Sequence, residues 1–387
     1  MCADAIASIT PTEHELIKQV TAIRNEHGQT LGVPKLLAQV KDQKPDWAVS
    51  EKRLRKVLAQ YNLGNAPPKG TALPNAAVSH LTPNFDIKDT TTKLAVKEVK
   101  GRGKGLYGTE DTKSGTSIFE EIPYVWAPPL AAVDGIRDGK FCALCARPVT
   151  GSLQASCSSC GVKYCTGLCK KRDEPHRITC TKKNPAWKKF VDLCVSEDWM
   201  GGMGVGMCWA KIAAAKNGEE RDLVVKTLGS FATVKQVTRQ EQNTSWMFEE
   251  EGTRALWKSA YALLTKALPP SELWTEEQFD LHLGMFNINN IAGGVYLAQS
   301  HLNHSCAPNT KIGNPLQYTN YKISVNAITD ITEGEEVTIT YTNPNMDKER
   351  RRDLLRKEYG FVCDCVRCVK GEEAVKEDVK KALKIEQ

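Results

Sequence analysis

The chain has 387 residues, of which 41% are hydrophobic and 25% charged, and its formal net charge is +6. This composition is ordinary for a soluble protein and leaves room for two or three domains. No apolar stretch reaches the roughly 18 residues of a membrane span, and the N-terminus, MCADAIASIT, lacks a basic region followed by an apolar core. We therefore expect neither a membrane segment nor a secretion signal.

Residues 1–63 predict a small helical module. Apolar residues recur at helical spacing in three segments: Leu16, Ile17, Val20, Ile23, Leu36, Leu37, Val40, Leu54, Val57 and Leu58. Ser50 is a suitable N-cap for the third segment. Two interpretations stay open for the basic run that follows it, a solvated helix face, which we favour, and a helix-turn-helix-like DNA-binding surface. That run consists of Lys52, Arg53, Arg55 and Lys56.

The rest of the chain divides by composition. Residues 64–91 begin with the Pro- and Gly-rich Gly64–Asn75 and predict an interdomain linker. Residues 92–140 predict short strands around the sequence GRGKGLYG, residues 182–280 are mostly helical in pattern, and residues 281–345 return to strand-like segments. After residues 346–370, the charged residues 371–387 predict a short helix or a frayed tail.

The strongest chemical signal is the set of cysteine pairs in residues 141–181. Eight candidate ligands stand at metal-binding spacings: Cys142 and Cys145, Cys157 and Cys160, Cys165 and Cys169, and His176 and Cys180. Two tetrahedral zinc sites need eight such donors, and a segment of about 40 residues has little core without metal. Because we expect no export signal, zinc ligation is favoured over disulfide bonds.

The spacing of these ligands resembles that of a MYND finger. The resemblance implies two interleaved zinc sites, one formed by Cys142, Cys145, Cys165 and Cys169, and the other by Cys157, Cys160, His176 and Cys180. It also implies that both ions are structural, with no open coordination position, and that the finger docks protein partners.

Three downstream tracts carry a second resemblance. NHSCAPN at Asn303–Asn309, GEEVTITY at Gly334–Tyr341 and CDCVRC at Cys363–Cys368 occur in the order found in SET-domain lysine methyltransferases. The resemblance covers about residues 92–370 and implies an α+β fold of short SET strands with a pseudoknot, the inserted MYND finger, a helical SET insertion and a post-SET zinc clip. The layout resembles the SET-and-MYND proteins, and it is closest to the fungal SET proteins numbered five.

The SET resemblance implies S-adenosylmethionine as the cofactor. It assigns cofactor contacts to Arg102, Gly103, Lys104, Asn287, Asn303, His304, Tyr341, Tyr359 and Phe361. Glycines let a backbone approach a ligand closely, and Lys104 or Arg102 could meet the methionine carboxylate. Asn287 would contact the methionyl part, while Asn303 and His304 would contact the adenine and amino groups.

Tyr341 is the predicted catalytic residue. Methyl transfer to lysine is an in-line displacement, so the enzyme must align donor and acceptor and keep the acceptor amine neutral. A free lysine has a pKa of about 10.4, but a narrow apolar channel disfavours its charged form. The resemblance places Tyr341 in that channel, with Tyr359 and Phe361 as its aromatic wall and as the cover of the adenine. Ile339, two residues earlier, leaves the degree of methylation open.

A third zinc site is expected at the end of the catalytic region. Cys363, Cys365 and Cys368 supply three thiolates, and the resemblance implies Cys306 as the fourth ligand. One ion would then clamp the post-SET segment against the NHSC tract. The alternative is a three-cysteine redox or adventitious site.

These observations predict an S-adenosylmethionine-dependent protein-lysine methyltransferase that acts on histone tails and contains three zinc ions. A non-histone substrate, for example a ribosomal protein, is one alternative, and a non-catalytic MYND/SET adaptor in transcriptional repression is another. We expect docked protein partners at the finger, only weakly supported nucleic-acid contact, no membrane association, and a location in nucleus and cytoplasm.

Overall fold

The computed structural model describes residues 9–27, 32–60, 77, 79–99, 103–234, 250–315, 319 and 321–385. The chain forms two compact units, Met1–Pro74 and Asn75–Gln387. Within the described ranges, every helix is too short or too polar to cross a membrane.

The first unit contains three helices, α1 (Glu13–His27), α2 (Val33–Gln43) and α3 (Glu51–Gln60). Its core contains eight of the ten predicted aliphatic residues together with Val49, each no more than 4% exposed: Leu16, Val20, Ile23, Leu36, Val40, Val49, Leu54, Val57 and Leu58. Leu37 is only partly buried against this core, and the side chain of Ile17 lies outside the described residues. Ser50 caps α3 as predicted, because its hydroxyl accepts the Arg53 N–H at 3.2 Å. The module thus has an apolar core of its own.

The basic residues of α3 lie opposite that core. Lys52, Arg55 and Lys56 are exposed, and Arg55 pairs with Glu51 one turn earlier at 2.6 Å. Arg53 instead donates to the carbonyl of Pro11. DNA binding by this face stays a prediction.

The described residues of the second unit form eleven short strands in four sheets. They are β1 (Leu94–Val99), β2 (Gly103–Gly108), β3 (Ser117–Glu121), β4 (Val125–Trp126), β5 (Ala155–Ser156), β6 (Lys163–Tyr164), β7 (Gly294–Val295), β8 (Asn303–His304), β9 (Thr310–Gly313), β10 (Ile323–Ala327) and β11 (Glu336–Ile339). The sheets have the orders β1-β2-β11-β8, β3-β10-β9, β4-β7 and β5-β6.

One pairing positions the NHSC tract. Strand β8 runs parallel to β11, with Asn303 opposite Thr338 and His304 opposite Ile339. All other strand pairs among the described residues are antiparallel. The parallel pair therefore brings NHSC beside the end of the GEEVTITY tract, although more than thirty residues separate them in sequence.

Helices cover the rest of this unit. They are α4 (Val133–Arg137), α5 (Gly167–Arg172), α6 (His176–Thr179), α7 (Pro185–Ser196), α8 (Met200–Ala213), α9 (Gly218–Leu228), α10 (Glu250–Ala267), α11 (Glu276–Asn289), α12 (Lys348–Tyr359), α13 (Val366–Lys370) and α14 (Glu377–Leu383).

The glycine run GGMGVG lies inside helix α8, where glycine is intrinsically unfavourable. Close helix packing explains it. A Cβ atom on Gly204 would lie 2.3 Å from the ring of Phe286 on α11, and one on Gly206 would lie 2.4 Å from the ring of Phe190 on α7. Glycine is therefore required for both large rings to pack directly on the α8 backbone.

Part of the predicted linker is folded. Residues 64–76 lie outside the described residues, but Phe85 stacks on His301 with ring centroids 5.1 Å apart, and Ile87 is buried in the apolar cluster of the two larger sheets. The charged tail is also ordered, because Val375 and Val379 are each only 3% exposed and pack against Ile328.

Candidate active site and metal sites

Cys306 meets the three post-SET cysteines in space. The ligand atoms of Cys306, Cys363, Cys365 and Cys368 all lie within 4.8 Å of one another. The Cys306 Sγ atom is 3.8 Å from Cys363 Sγ and 3.6 Å from Cys368 Sγ. A tetrahedral zinc with Zn–S bonds of about 2.3 Å holds its sulfur atoms about 3.8 Å apart. The group therefore fits a zinc ion without rearrangement.

The finger contains two further groups of four. They have the interleaved composition implied by the MYND resemblance: Cys142, Cys145, Cys165 and Cys169 in one, and Cys157, Cys160, His176 and Cys180 in the other. In the first group, Cys165 Sγ is 3.7 Å from Cys145 Sγ and 3.5 Å from Cys169 Sγ. These separations again suit zinc and are far from the roughly 2.05 Å of a disulfide. Zinc occupancy of the three groups stays a prediction.

Tyr341 stands just after β11 and is held at both its backbone and its hydroxyl. Its N–H donates to His304 Nδ1 at 2.9 Å, and its hydroxyl donates to the carbonyl of Leu302 at 2.6 Å. Burial raises the pKa of the Tyr341 hydroxyl above its ordinary value, which is already well above physiological pH, so the hydroxyl stays neutral. The phenolic proton is thus committed to Leu302, and the oxygen lone pairs remain as acceptors.

The Tyr341 ring belongs to a group of four aromatic rings. The ring centroid of Tyr341 is 4.9 Å from that of Tyr359 and 5.3 Å from that of His304. Phe361 closes the group, with centroids 6.0 Å from His304 and 6.3 Å from Tyr359. The post-SET residues reach Tyr341 because the Cys306 group, only two residues beyond Phe361, ties their segment to the NHSC tract.

His304 links the aromatic group to the metal group. Burial lowers its pKa to about 4, so the imidazole is neutral. Since Nδ1 accepts the Tyr341 N–H, Nε2 carries the proton, and Nε2 lies 3.2 Å from Cys306 Sγ. Both ring nitrogens are therefore engaged within the protein, and a cofactor contact by His304 is left to its ring face or its backbone.

Comparison with known proteins agrees with this geometry. The SET domain family model matches residues 103–342. The chain belongs to the SET-domain family. A histone-lysine N-methyltransferase SET5 of Yarrowia lipolytica is 36% identical, over 95% of this chain and 84% of the relative. The protein of the same name from Scheffersomyces stipitis is 31% identical, over 96% of this chain and 82% of the relative.

Two solved SET structures are more distant. The SET domain of LSMT bound to lysine and AdoHcy has a TM-score of 0.32 at 12% identity, covering 72% of this chain and 54% of that one. Rubisco LSMT bound to sinefungin and monomethyllysine has a TM-score of 0.33 at 13% identity, covering 72% and 55%. The family model and the fungal relatives establish the fold, and the predicted α+β SET class is confirmed.

Within this SET domain, the Asn303 side chain forms hydrogen bonds to two neighbouring strands. Its Nδ2 donates to the Lys104 carbonyl at 3.0 Å and to Glu336 Oε1 at 2.8 Å. A Cβ atom on Gly105 would lie 2.9 Å from Asn303 Nδ2, so the glycine-rich strand β2 makes room for this side chain. Asn303 thus fastens β8 to β2 and β11, and its amide group is not free to donate to a cofactor.

Lys104 is not placed to bind a carboxylate. It is only 4% exposed, and its Nζ donates to the carbonyls of His80 at 3.0 Å and Ser230 at 3.2 Å. Burial lowers its pKa to about 8. Strand β2 turns this side chain inward onto residues outside the motif, so the structure lends no support to the carboxylate contact, and cofactor binding by Lys104 stays a prediction. Arg102, the other candidate, lies outside the described residues, and Gly103 begins β2 with a φ of +71°.

Asn287 lies near the end of α11 and is exposed. A Cβ atom on Gly201 would lie 2.7 Å from Asn287 Oδ1, so the start of α8 approaches this side chain closely. This proximity supports no specific ligand, and the methionyl contact of Asn287 stays a prediction.

The sequence did not reveal two anchoring residues. Glu121 accepts the N–H groups of Ala298 and Gln299 at 2.9 and 3.0 Å, which fixes the turn that leads into NHSC, and burial raises its pKa to about 7. Asn309, the last residue of NHSCAPN, accepts the Thr338 N–H at 2.9 Å. Of these two residues, only Asn309 was marked in the sequence, because it belongs to the NHSCAPN motif.

Proposed function

We propose that this protein is an S-adenosylmethionine-dependent protein-lysine N-methyltransferase with histone tails as its substrates. The observation that carries the proposal is the Tyr341 hydroxyl, held neutral on the Leu302 carbonyl within an aromatic group. Membership of the SET family and the similarity to fungal histone-lysine N-methyltransferases, with most of each chain aligned, support it.

The geometry suits alignment of an amine. S-adenosylmethionine supplies a methyl group activated by a sulfonium charge. The aromatic walls of Tyr341, Tyr359 and Phe361 favour the neutral form of an entering lysine, because an ammonium ion is poorly solvated there. Since the Tyr341 proton is donated to Leu302, its oxygen can accept an amine N–H or a weak C–H···O bond and so orient the acceptor for in-line attack.

Each remaining assignment is part of the proposal. Gly103, Asn287, the backbone of the NHSC tract and the rings of Tyr359 and Phe361 form the cofactor surface. The three cysteine-rich groups hold structural zinc, and the residues near 141–181 form a MYND-type finger that docks proteins. Histone substrates place the protein in the nucleus, and a cytoplasmic pool would serve non-histone substrates.

Substitution of Tyr341 tests the proposal. Tyr341→Phe removes the oxygen and should lower kcat by about 100-fold, the cost of misaligned reactants, while calorimetric affinity for S-adenosylmethionine changes little. Tyr261→Phe is a matched control, since that hydroxyl also donates to a carbonyl, of Trp274 at 2.8 Å, in the helical region. Its turnover should stay near the wild-type value.

The substrate is tested with nucleosomes, free histones and cell lysate, read by mass spectrometry with both variants in parallel. Methylation of histone tails that depends on Tyr341 would support the full proposal. Exclusive methylation of a ribosomal or other lysate protein would replace the substrate. Absence of both cofactor binding and methylation would favour the non-catalytic adaptor.

A further inference from the structure

The Cys306 group is buried, yet it would carry a net negative charge when it binds zinc. Four thiolates around one Zn²⁺ have a net charge of −2, and three of the four cysteines, Cys306, Cys363 and Cys368, are at most 4% exposed. Burying uncompensated charge is costly in a medium of low dielectric constant. Stable zinc binding at this position therefore requires positive groups nearby.

Two buried arginines lie against this group. Arg351, on α12, is 0% exposed, and Arg367, on α13, is 3% exposed. The Arg367 Nη1 donates to the Cys306 carbonyl at 3.3 Å. Arg351 lies one helical turn before Leu355, which packs in the same buried cluster as Cys306 and Cys368.

Arg351 also has a buried N–H donor that is not used within the described part of the protein. Arg351 Nη1 donates to the Met346 carbonyl at 2.5 Å, whereas its buried Nε has no hydrogen-bond partner among the described atoms. A buried N–H without a partner is costly unless something accepts it. A metal-bound thiolate of the Cys306 group would be an acceptor of the right charge for this donor.

One carboxylate from the C-terminal tail joins the two arginines. Glu372 Oε2 accepts from Arg367 Nε at 2.6 Å, and Glu372 Oε1 accepts from Arg351 Nη2 at 3.4 Å. Glu372 follows Gly371, whose φ of +101° turns the chain back toward the site. The two guanidinium groups are thereby fixed relative to each other by a single residue.

The tail that carries Glu372 is itself anchored. Val375 and Val379 pack against Ile328, and Ala307, which adjoins Cys306, borders the same cluster. Further along, the Lys384 carbonyl accepts from Asn345 Nδ2 at 3.3 Å. The described tail residues 371–385 therefore pack against the residues that precede the post-SET segment rather than extending away from the fold.

We infer that Arg351, Arg367 and the tail residue Glu372 form a charge-balancing shell that retains zinc in the Cys306 group. The arginines balance the thiolate charge, and Glu372 positions them. The inference rests on the proposed zinc occupancy of this group, and it gives residues 371–385 a function that the SET motifs do not assign. Glu372 is thus a positioning residue and not a ligand.

The test measures zinc release from the full-length protein, with pyridylazoresorcinol as the chromophoric chelator. Glu372→Gln should accelerate release of one of three zinc equivalents by about tenfold, the low end for residues that orient metal ligands, because the Glu372 side chain is 56% exposed. The other two equivalents should leave at wild-type rates. Glu373→Gln, the same charge change one residue later, should release zinc like the wild type.

Two further variants identify the affected ion. Cys306→Ser should remove one equivalent, and adding Glu372→Gln to it should not change release of the remaining two. Arg367→Gln should accelerate the same phase as Glu372→Gln, and Arg367→Lys should restore it only in part, since lysine keeps the charge but cannot engage both partners at once.

The outcomes separate the inference from the zinc proposal. Three equivalents with unchanged release from Glu372→Gln would overturn the charge-balancing shell alone. Equal acceleration of all three phases would also overturn it, because it would indicate general destabilisation. Two equivalents in the wild type, unchanged by Cys306→Ser, would overturn the third zinc site and the shell together.

Discussion

The N-terminal helical module and the cysteine-rich finger are both small segments, but their interiors differ: the first is aliphatic and the second is built around cysteines. The module buries nine aliphatic side chains in one cluster. Between residues 141 and 181, the buried members of the finger cluster are two cysteines, Val162 and Tyr164, and the cluster is completed by Trp126 and Tyr321 from neighbouring segments.

The difference indicates two sources of stability. Each buried aliphatic side chain contributes about 1.5–3 kcal/mol, so the module can fold on apolar burial. The finger has too few such side chains, whereas a structural zinc ion binds with about 10–16 kcal/mol. The folded state of the finger should depend on metal and that of the module should not.

Metal removal should give the largest effect. Exhaustive chelation should abolish amide-exchange protection across residues 141–181 and leave α1, α2 and α3 protected in the same molecules. Methylation should also cease, because loss of the Cys306 ion frees Tyr359 and Phe361 from Tyr341. Hydrogen-exchange mass spectrometry and a methyl-transfer assay provide the readouts.

Restoration of zinc is the control for this experiment. Protection of the finger and activity should return together. If the finger stayed protected in protein shown to be metal-free, apolar packing would suffice there, and the contrast between the two segments would be mistaken.

A cavity in the helical module should give the next largest effect. Leu54 is fully buried on α3, and Leu54→Ala should lower the free energy of unfolding of the module by about 2–5 kcal/mol. Exchange protection of α1, α2 and α3 should fall, while the zinc content stays unchanged. Lys56→Ala, an exposed change on the same helix, should stay within about 0.5 kcal/mol of the wild type.

The results for Leu54→Ala test whether the three helices share one apolar core that is independent of zinc. If Leu54→Ala left the exchange of α1 and α2 unaltered, its helices would not share one cooperative core. If it also released zinc, the two kinds of stability would not be independent.

Sequence patterns predicted the parts of the molecule whose physics is local or carried by a motif. Helical periodicity gave the core positions of the first unit, and the Ser50 cap follows from a contact three residues away. Cysteine spacing, read with the family resemblance, gave the three groups of four that the structure brings together.

Features that depend on distant segments were not predictable. The orientation of Lys104 is set by carbonyls at His80 and Ser230, the second of them 126 residues away. The glycines of α8 lie in a segment predicted only as mostly helical, and the sequence does not show that rings on other helices require them. Likewise, Glu372 stood in a charged tail predicted as a short helix or a frayed end, and only the fold shows it between two buried arginines.

A hydrogen bond inside the finger should give the smallest effect. Tyr164 is 1% exposed and donates to Asp173 Oδ2 at 2.9 Å. Tyr164→Phe keeps the ring and removes this bond, so it should cost about 1.5–3 kcal/mol locally. Because metal binding is several times larger, the finger should keep both zinc ions and lose exchange protection only near Asp173. Cys157→Ser in the same finger should instead lose one ion and broad protection. Zinc loss from Tyr164→Phe comparable to that from Cys157→Ser would show that hydrogen bonding and packing, as in the helical module, hold the finger together.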